Sequence, residues 1–279
     1  MTHSDLRPAC LNYAICNETF AGWDHARACD CAATCGYTGL EVAPFTLAPL
    51  ITDVTIAERA EFRRTAERAG LTVIGLHWLL AKTTGFHLTS PDPEVRRRTG
   101  EYLADLARAA ADLGGNILVL GSPAQRSIQA GVTRVQADDY ALDTLRHCLP
   151  ALDDTGVDLC LEPLTPAETD FLNTAAEAAG MLGRLGHPRV RLHLDVKAMT
   201  AEAAPPADVI RANVGHLGHF HANDPNLRGP GFGDADFVPI LAALQQIGYA
   251  GWVSVEVFDY TPDPETIARE SIRYLRACE

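Results

Sequence analysis

The sequence predicts a single α/β domain, a (β/α)8 TIM-type barrel that spans residues 1–279. Short β-type runs alternate with longer helical runs throughout, and eight such units give roughly 35 residues each, the size expected for this fold. No low-complexity tract or Gly/Ser linker divides the chain. A doubly wound sheet is the rival fold, but it normally carries a glycine-rich phosphate loop after its first strand. Here that place reads Asn17-Glu18-Thr19-Phe20, with no such loop.

The elements follow one another in a regular order. The predicted strands are residues 9–15, 38–42, 71–77, 116–121, 157–162, 190–195, 216–221 and 251–258. The clearest predicted helices are residues 57–69, 94–113, 137–152, 174–185, 237–247 and 264–277. Gly70 and Gly248 each stand between a helical run and a strand. Because glycine adopts the left-handed conformation that closes a helix, both indicate helix ends.

The alternation along each strand indicates which side chains face the barrel interior. Leu159 and Leu161 share one face of their strand, whereas Cys160 and Glu162 share the other. The three later strands show the same division. Outer faces pack against helices and must be apolar, so the polar faces point inward. Each of these four strands ends near a potential metal ligand: Glu162, Asp195, His221 and Glu256.

These four side chains predict a metal centre at the C-terminal rim of the barrel, where barrel enzymes carry out their chemistry. Three carboxylates packed together repel one another and need a cation between them. Two Glu, one Asp and one His form a hard, oxygen-rich ligand set. That set favours one Mn²⁺, Mg²⁺ or Co²⁺ ion. The alternative for any single carboxylate is an ordinary ion pair.

The same residues carry a resemblance to a known group of proteins. The segments are Leu161-Glu162-Pro163-Leu164 with Glu168-Thr169, His193-Leu194-Asp195, His219-Phe220-His221-Ala222-Asn223-Asp224 with Gly229-Pro230-Gly231, and Ser254-Val255-Glu256-Val257-Phe258. In this order they resemble the sugar phosphate isomerase/epimerase superfamily, the xylose isomerase-like TIM barrels, and within it the ketose 3-epimerases. The likeness is dense over residues 157–258.

The resemblance implies roles for individual residues. The four ligands would hold one metal ion, and Glu162 and Glu256 would also exchange protons with a substrate carbon. Glu168 matches a carboxylate that contacts substrate. Two positions depart from the pattern: Ala198 stands where a substrate-binding His is usual, and Leu227 stands where an Arg is usual.

Several further residues are candidates for substrate contact. Arg228, next to Leu227, is one; Glu41 and His77 are predicted to face inward on their strands, with barrel-lining hydrogen bonds as the alternative. Arg126 follows the fourth strand and could bind an anionic or hydroxylated substrate. Lys197 could be a substrate cation or a Schiff-base amine, and with no sign of burial it is interpreted as a rim lysine.

The remaining interior and aromatic residues have simpler interpretations. His193 and His219 lie one layer below predicted ligands, which favours structural or ligand-supporting roles. Trp23, Trp78 and Phe20 could form an apolar wall of the pocket, or simply pack.

The predicted chemistry is proton transfer by glutamate through a metal-stabilised enediolate. Reprotonation from the opposite face gives epimerisation, and return of the proton to the adjacent carbon gives isomerisation. Loss of a β-hydroxyl instead gives a lyase that dehydrates a keto-sugar or keto-cyclitol. The expected activity is that of an isomerase or epimerase acting on a carbohydrate-like small molecule, with the lyase as the alternative.

Composition excludes other classes of function. The net charge of -13 argues against a nucleic-acid partner, including for an abasic-site endonuclease on the same fold. No run of about 18 apolar residues is present, so no membrane span is expected. Residues 1–10 lack the apolar stretch of a secretory signal, which suggests a cytoplasmic protein.

The sequence also bears on the cysteines, on a non-catalytic alternative and on the oligomeric state. The eight cysteines should be mostly reduced, and Cys29, Cys31 and Cys35 read as small residues of a helix face rather than a zinc site. A non-catalytic binding barrel would explain the two departures, although it would not explain the four ligands. A homodimer is possible by analogy with relatives.

Overall fold

The computed structural model describes residues 11–279 and confirms the predicted (β/α)8 barrel. Eight parallel strands form a closed barrel in which each strand pairs with its neighbours in sequence and the last pairs with the first. The strands are β1 Asn12–Cys16, β2 Gly39–Val42, β3 Thr72–Leu76, β4 Ile117–Leu120, β5 Asp158–Leu161, β6 Val190–Asp195, β7 Leu217–Ala222 and β8 Trp252–Val255.

Residues 11–279 contain ten α-helices, which connect and cover the strands. They are α1 His25–Cys35, α2 Ile56–Arg68, α3 Pro93–Leu113, α4 Arg134–Arg146, α5 Leu149–Thr155, α6 Ala175–Leu185, α7 Val196–Thr200, α8 Pro206–Ala212, α9 Phe237–Gln246 and α10 Pro264–Ala277. Gly70 and Gly248 adopt φ angles of 85° and 69°, which confirms both as helix ends. No helix within residues 11–279 combines the length and hydropathy needed to cross a bilayer.

One helix that was predicted as continuous is interrupted in the structure. The run 137–152 forms two helices, α4 and α5, with His147 and Cys148 between them. Pro150 explains the break because its nitrogen has no hydrogen to donate to the carbonyl of Arg146, four residues earlier. The two short helices α7 and α8 are additions that the sequence pattern did not indicate.

The core is divided between the two faces of the strands. Leu159 and Leu161 belong to the large apolar cluster formed with the helices, whereas Cys160 packs inside the barrel with Ile117 and Val119. The predicted alternation of β5 is therefore confirmed. Because every strand runs in the same direction, side chains at all eight C-terminal ends meet at one rim.

The cysteines within residues 11–279 are free thiols, and several contribute to this packing. Cys29 is buried on α1, and Cys31 and Cys35 are half-buried on the same helix. Burial raises the pKa of the Cys31 thiol to about 11, so it remains a neutral thiol at physiological pH.

Candidate active site

The four predicted ligands lie at the C-terminal ends of four consecutive strands. Asp195 is the last residue of β6 and pairs in register with His221 of β7. Glu162 and Glu256 each follow the last residue of their strands, β5 and β8. Donor atoms of Glu162, Asp195 and His221 lie within 4.8 Å of one another, together with one from His193. Glu256 joins them through a 3.1 Å contact between its Oε2 and Nδ1 of His221.

His221 is held between two carboxylates. Its Nδ1 faces Glu256, and its Nε2 lies 3.2 and 3.1 Å from the two oxygens of Glu41. Glu41 also contacts Nε2 of His219 at 3.0 Å and is fully buried. A carboxylate that accepts the outer N–H of a ligand histidine fixes the orientation of the ring. The contacts of Glu41 are those of a residue that orients His221, and they leave no oxygen facing the pocket for the predicted substrate contact.

Asp195 is braced from two sides. Its Oδ1 accepts the backbone N–H of Ala198 at 2.8 Å, which caps the N-terminus of α7. Its Oδ2 accepts a hydrogen bond from Nδ2 of Asn223, just after β7. Asn223 is therefore a positioning residue that the sequence reasoning did not assign, although it stands in the quoted segment His221-Ala222-Asn223.

Glu162 has no such support. Within residues 11–279 no donor hydrogen-bonds to its carboxylate, and the nearest imidazole nitrogen, Nε2 of His193, is 4.0 Å away. Burial, followed by repulsion from Glu256 and Asp195, raises the pKa of Glu162 to about 8. Burial also raises the pKa of Asp195, to which Glu256 contributes.

Glu256 titrates in the opposite direction. Burial alone would raise its pKa, but His221, through charge and hydrogen bonding, and the nearby His77 and Lys197 lower it. Its Oε1 also accepts a hydrogen bond from the indole Nε1 of Trp78 at 2.8 Å. The site therefore pairs a protonated Glu162 with an ionised Glu256 near neutral pH. Such a separation of pKa values is typical of an acid and a base that work together.

The donor chemistry fits a divalent cation. Glu162, Asp195 and Glu256 are buried within one cluster, and their mutual repulsion is visible in the raised pKa of Glu162. A dication between them would remove that repulsion, and an oxygen-rich set with one imidazole suits Mn²⁺, Mg²⁺ or Co²⁺.

A pocket of about 360 Å³ opens over this cluster. Its polar lining includes Glu162, Glu168 and Lys197, and its apolar walls include Trp78 and Phe258. Nζ of Lys197 donates to Oε1 of Glu168 at 2.7 Å and lies over the Phe258 ring, 4.3 Å from its centroid. Lys197 lies at the rim and lines the pocket, but it is only 8% exposed, so the expectation that it is not buried is wrong. The segment after β6 turns at once into α7, which carries Lys197 over the pocket rather than into solvent.

Two predicted substrate contacts are contradicted by geometry. The guanidinium of Arg126 is buried and donates to the backbone carbonyls of Glu162 and Leu120, so it supports the loop after β4. Arg228 pairs with Asp259 at 2.9 Å and donates to Thr261, outside the pocket lining. Both side chains are occupied by protein partners.

The remaining candidates lie in the interior of the barrel or line a second cavity, apart from Trp78. His77 is fully buried beside Glu18, with 2.9 Å between His77 Nε2 and Glu18 Oε2, and does not line the pocket. Glu18 is a further interior residue that the sequence reasoning missed because it lies in a 3₁₀ turn after β1, outside any strand alternation. Phe20 and Trp23 line a separate cavity of about 320 Å³, so only Trp78 of the three aromatic candidates lines the pocket.

The structure shows what surrounds Ala198 and Leu227, the two residues that depart from the ketose 3-epimerase pattern. Ala198 is buried and supplies the N–H that binds Asp195. Leu227 is 44% exposed, with a φ of 72°, in the loop after β7. Neither lines the pocket, and the charged side chains that line it beside Glu162 are Lys82, Glu168 and Lys197.

Substitution of Gly121 tests whether the position of the Glu162 carboxylate affects turnover. A Cβ on Gly121 would lie 1.6 Å from Oε2 of Glu162, closer than any non-bonded contact allows. We expect Gly121→Ala to displace this carboxylate and lower kcat by about 100-fold, since misplacement of about 1 Å has that cost. Steady-state kinetics on the folded variant measure the effect. Gly180→Ala, where an added Cβ meets no atom within 4 Å, is the matched control and should retain wild-type kcat. Unchanged kcat in Gly121→Ala would show that the position of the Glu162 carboxylate does not limit turnover.

Comparison with known proteins agrees with this architecture. The family model described as the xylose isomerase-like TIM barrel matches residues 29–278. The chain is 29% identical to D-psicose 3-epimerase of Ruminiclostridium cellulolyticum over 228 residues, which cover 81% of this chain and 75% of that protein. It is 30% identical to L-ribulose 3-epimerase of Methylomonas sp. over 193 residues, covering 65% and 64% of the two chains.

Solved structures show the same fold. D-psicose 3-epimerase with D-tagatose, from Clostridium cellulolyticum H10, matches with a TM-score of 0.84 and 22% identity over 96% of this chain and 99% of that chain. The apo 3-keto-D-glucoside 4-epimerase of E. coli matches with a TM-score of 0.84 and 21% identity over 96% and 100% of the two chains. Because the family model covers nearly all of its length, the protein belongs to the xylose isomerase-like TIM barrels, the superfamily that its sequence motifs resemble.

Proposed function

We propose that this protein is a divalent-metal-dependent ketose 3-epimerase. Its relatives of known activity include D-psicose and L-ribulose 3-epimerases, which supports an isomerase or epimerase and does not favour the dehydrating lyase. The observation that carries the proposal is a pair of buried carboxyl groups with opposite pKa directions: Glu162, which lines the pocket, and Glu256, which contacts the neighbouring ligand His221.

The proposed ligands of the ion are Glu162, Asp195, His221 and Glu256, with Mn²⁺ as the first candidate. When bound, the ion would draw electron density from the ketose carbonyl and make the neighbouring C–H bond more acidic. His221 is oriented for this task by Glu41, and Asp195 by Asn223 and the backbone of Ala198.

The two glutamates supply the proton transfers. Glu256, ionised and held by Trp78 Nε1, is the base that removes the proton from carbon 3. In the metal-free protein, burial and repulsion raise the pKa of Glu162. Beside the ion, Glu162 would enter the step protonated and return that proton from the other side. The roles exchange in the reverse reaction, because each step leaves the opposite carboxyl protonated.

The pocket would hold the rest of the sugar. Glu168 and Lys197 offer a fixed acceptor and donor for hydroxyl groups, and Trp78 and Phe258 enclose the carbon chain. Lys197 is paired with Glu168 and protonated, since neighbouring Asp195 and Glu168 raise its pKa despite burial. A protonated amine is not a nucleophile, so the Schiff-base role is disfavoured. Assembly into a homodimer stays a prediction.

Isotope exchange tests the proposed reaction. The purified protein with Mn²⁺ should convert D-psicose, D-tagatose or L-ribulose into the C3 epimer, and in D₂O the product should carry deuterium at carbon 3. Nuclear magnetic resonance measures the label, and chromatography separates the epimers. An aldose product with deuterium at carbon 2 would indicate isomerisation, and a product lighter by one water would indicate the lyase; either result would overturn the proposal.

A further inference from the structure

A second group of metal-competent side chains lies inside the barrel, and the proposed function uses only one of its members. It consists of Glu18, His77 and Glu256, which follow β1, β3 and β8. One donor atom from each lies within 4.8 Å of the other two. All three side chains are buried, with exposed fractions of 2%, 0% and 1%.

Two members of this group lack satisfactory partners. His77 Nε2 lies 2.9 Å from Glu18 Oε2, yet the two atoms are not aligned as a hydrogen bond. Nδ1 of His77 and Oε1 of Glu18 also have no hydrogen-bond partner within residues 11–279. Buried carboxylate and imidazole atoms without hydrogen bonds lower stability, so a group beyond residues 11–279, such as a cation, should satisfy them.

The spacing of these atoms suits a cation. Two neighbouring ligands of an octahedral ion with bonds of about 2.1 Å lie about 3.0 Å apart. The contact between Glu18 and His77 has this length and lacks the alignment of a hydrogen bond. The competing triad of Cys16, Glu41 and His77 is less suitable for Mn²⁺, because a thiol is a softer ligand than the carboxylates of Glu18 and Glu256.

The group is not a substrate subsite. Neither Glu18 nor His77 lines the pocket, and both are nearly inaccessible to solvent. The negative charge of the barrel interior also favours a further cation. Five buried carboxylates lie in this region: Glu18, Glu41, Glu162, Asp195 and Glu256. Ionised together they carry five negative charges, so one dication and the ammonium group of the buried Lys197 would leave two to be balanced by protons or by a second ion.

We propose that Glu18, His77 and Glu256 form a second divalent-cation site, with Glu256 shared between the two centres. Two carboxylates and one imidazole suit Mn²⁺, Co²⁺ or Zn²⁺. The proposal goes beyond the epimerase function and holds whether or not the protein epimerises ketoses. A proton on His77, shared with Glu18, is the rival way to neutralise the group.

Counting bound metal separates these possibilities. The metal-stripped protein is loaded with excess Mn²⁺, desalted, and analysed by inductively coupled plasma mass spectrometry. Wild type should retain two equivalents per chain, and Glu18→Gln and His77→Asn should each retain one. Glu162→Gln should also lose one equivalent, but from the first centre. The matched control Glu168→Gln, altered in the pocket but in neither cluster, should retain two.

Each outcome has a defined meaning once circular dichroism has shown that the variants are folded. A wild-type stoichiometry of one, lost in Glu162→Gln and kept in Glu18→Gln, would overturn the second site and leave the proposed epimerase centre intact. Two equivalents in Glu18→Gln and in His77→Asn would also overturn it. Two equivalents in wild type, one in each cluster variant, and no epimerase activity would support the second site and contradict the proposed function.

Discussion

Replacing Glu256 with glutamine is expected to lower kcat for 3-epimerisation by about 10³-fold, the scale of general acid–base catalysis. The amide keeps the shape of the side chain and can still accept from Trp78, but it cannot take up a proton at neutral pH. It also removes the negative charge that faces Nδ1 of His221. Steady-state kinetics and deuterium exchange at carbon 3 should fall together, because both depend on removal of the same proton.

The control for this substitution is Glu101→Gln. Glu101 is exposed on α3 and, among residues 11–279, pairs only with Arg97, so the same chemical change there should leave kcat unaltered. Circular dichroism establishes that both variants are folded. A Glu256→Gln protein with kcat within a few-fold of wild type would remove Glu256 from the proposed chemistry.

Removal of metal should have the second large effect. Exhaustive chelation is expected to abolish epimerisation, and added Mn²⁺ should restore it, because the carbonyl would otherwise lack the charge that acidifies its neighbour. Binding should also stabilise the folded chain. At an ion concentration 100-fold above Kd the gain is about 2.7 kcal/mol, or about 5 °C in Tm for a chain of this length. Differential scanning calorimetry with and without Mn²⁺ measures the shift.

Glu162→Gln tests whether Glu162 contributes to the stabilisation by the metal ion. Glu162 has no hydrogen-bond donor to lose, and its raised pKa shows that its ionised form is disfavoured in the metal-free protein. The metal-free variant should therefore melt no lower than metal-free wild type, and its response to Mn²⁺ should be reduced. Equal metal-induced shifts in both proteins would exclude Glu162 as a ligand.

Much of the architecture could be predicted because its signals are local. All eight strands were identified, since each has a short apolar run and a period of two that places Leu159 and Cys160 on opposite faces. The order of the units then determines which strand ends are neighbours. This is why Glu162, Asp195 and His221, far apart in sequence, could be expected together.

What could not be predicted depends on side-chain reach and on irregular segments. Arg126 follows β4 at the rim, but its guanidinium turns back to the carbonyl of Glu162, a contact without any sequence pattern. Glu18 lies in a 3₁₀ turn, where strand alternation does not apply. The burial of Lys197 follows from α7, a helix of five residues that is too short to show a periodic pattern.

The unequal bracing of the proposed ligands has a consequence for ion preference. Asp195 is tied to a helix end and to Asn223, and His221 stands between two carboxylates, whereas Glu162 has no hydrogen bond to break when it moves. Ions of different ionic radius can then be accommodated by the swing of one side chain. We expect a tolerant centre in which Mg²⁺, Mn²⁺ and Co²⁺ exchange for one another with modest differences in affinity.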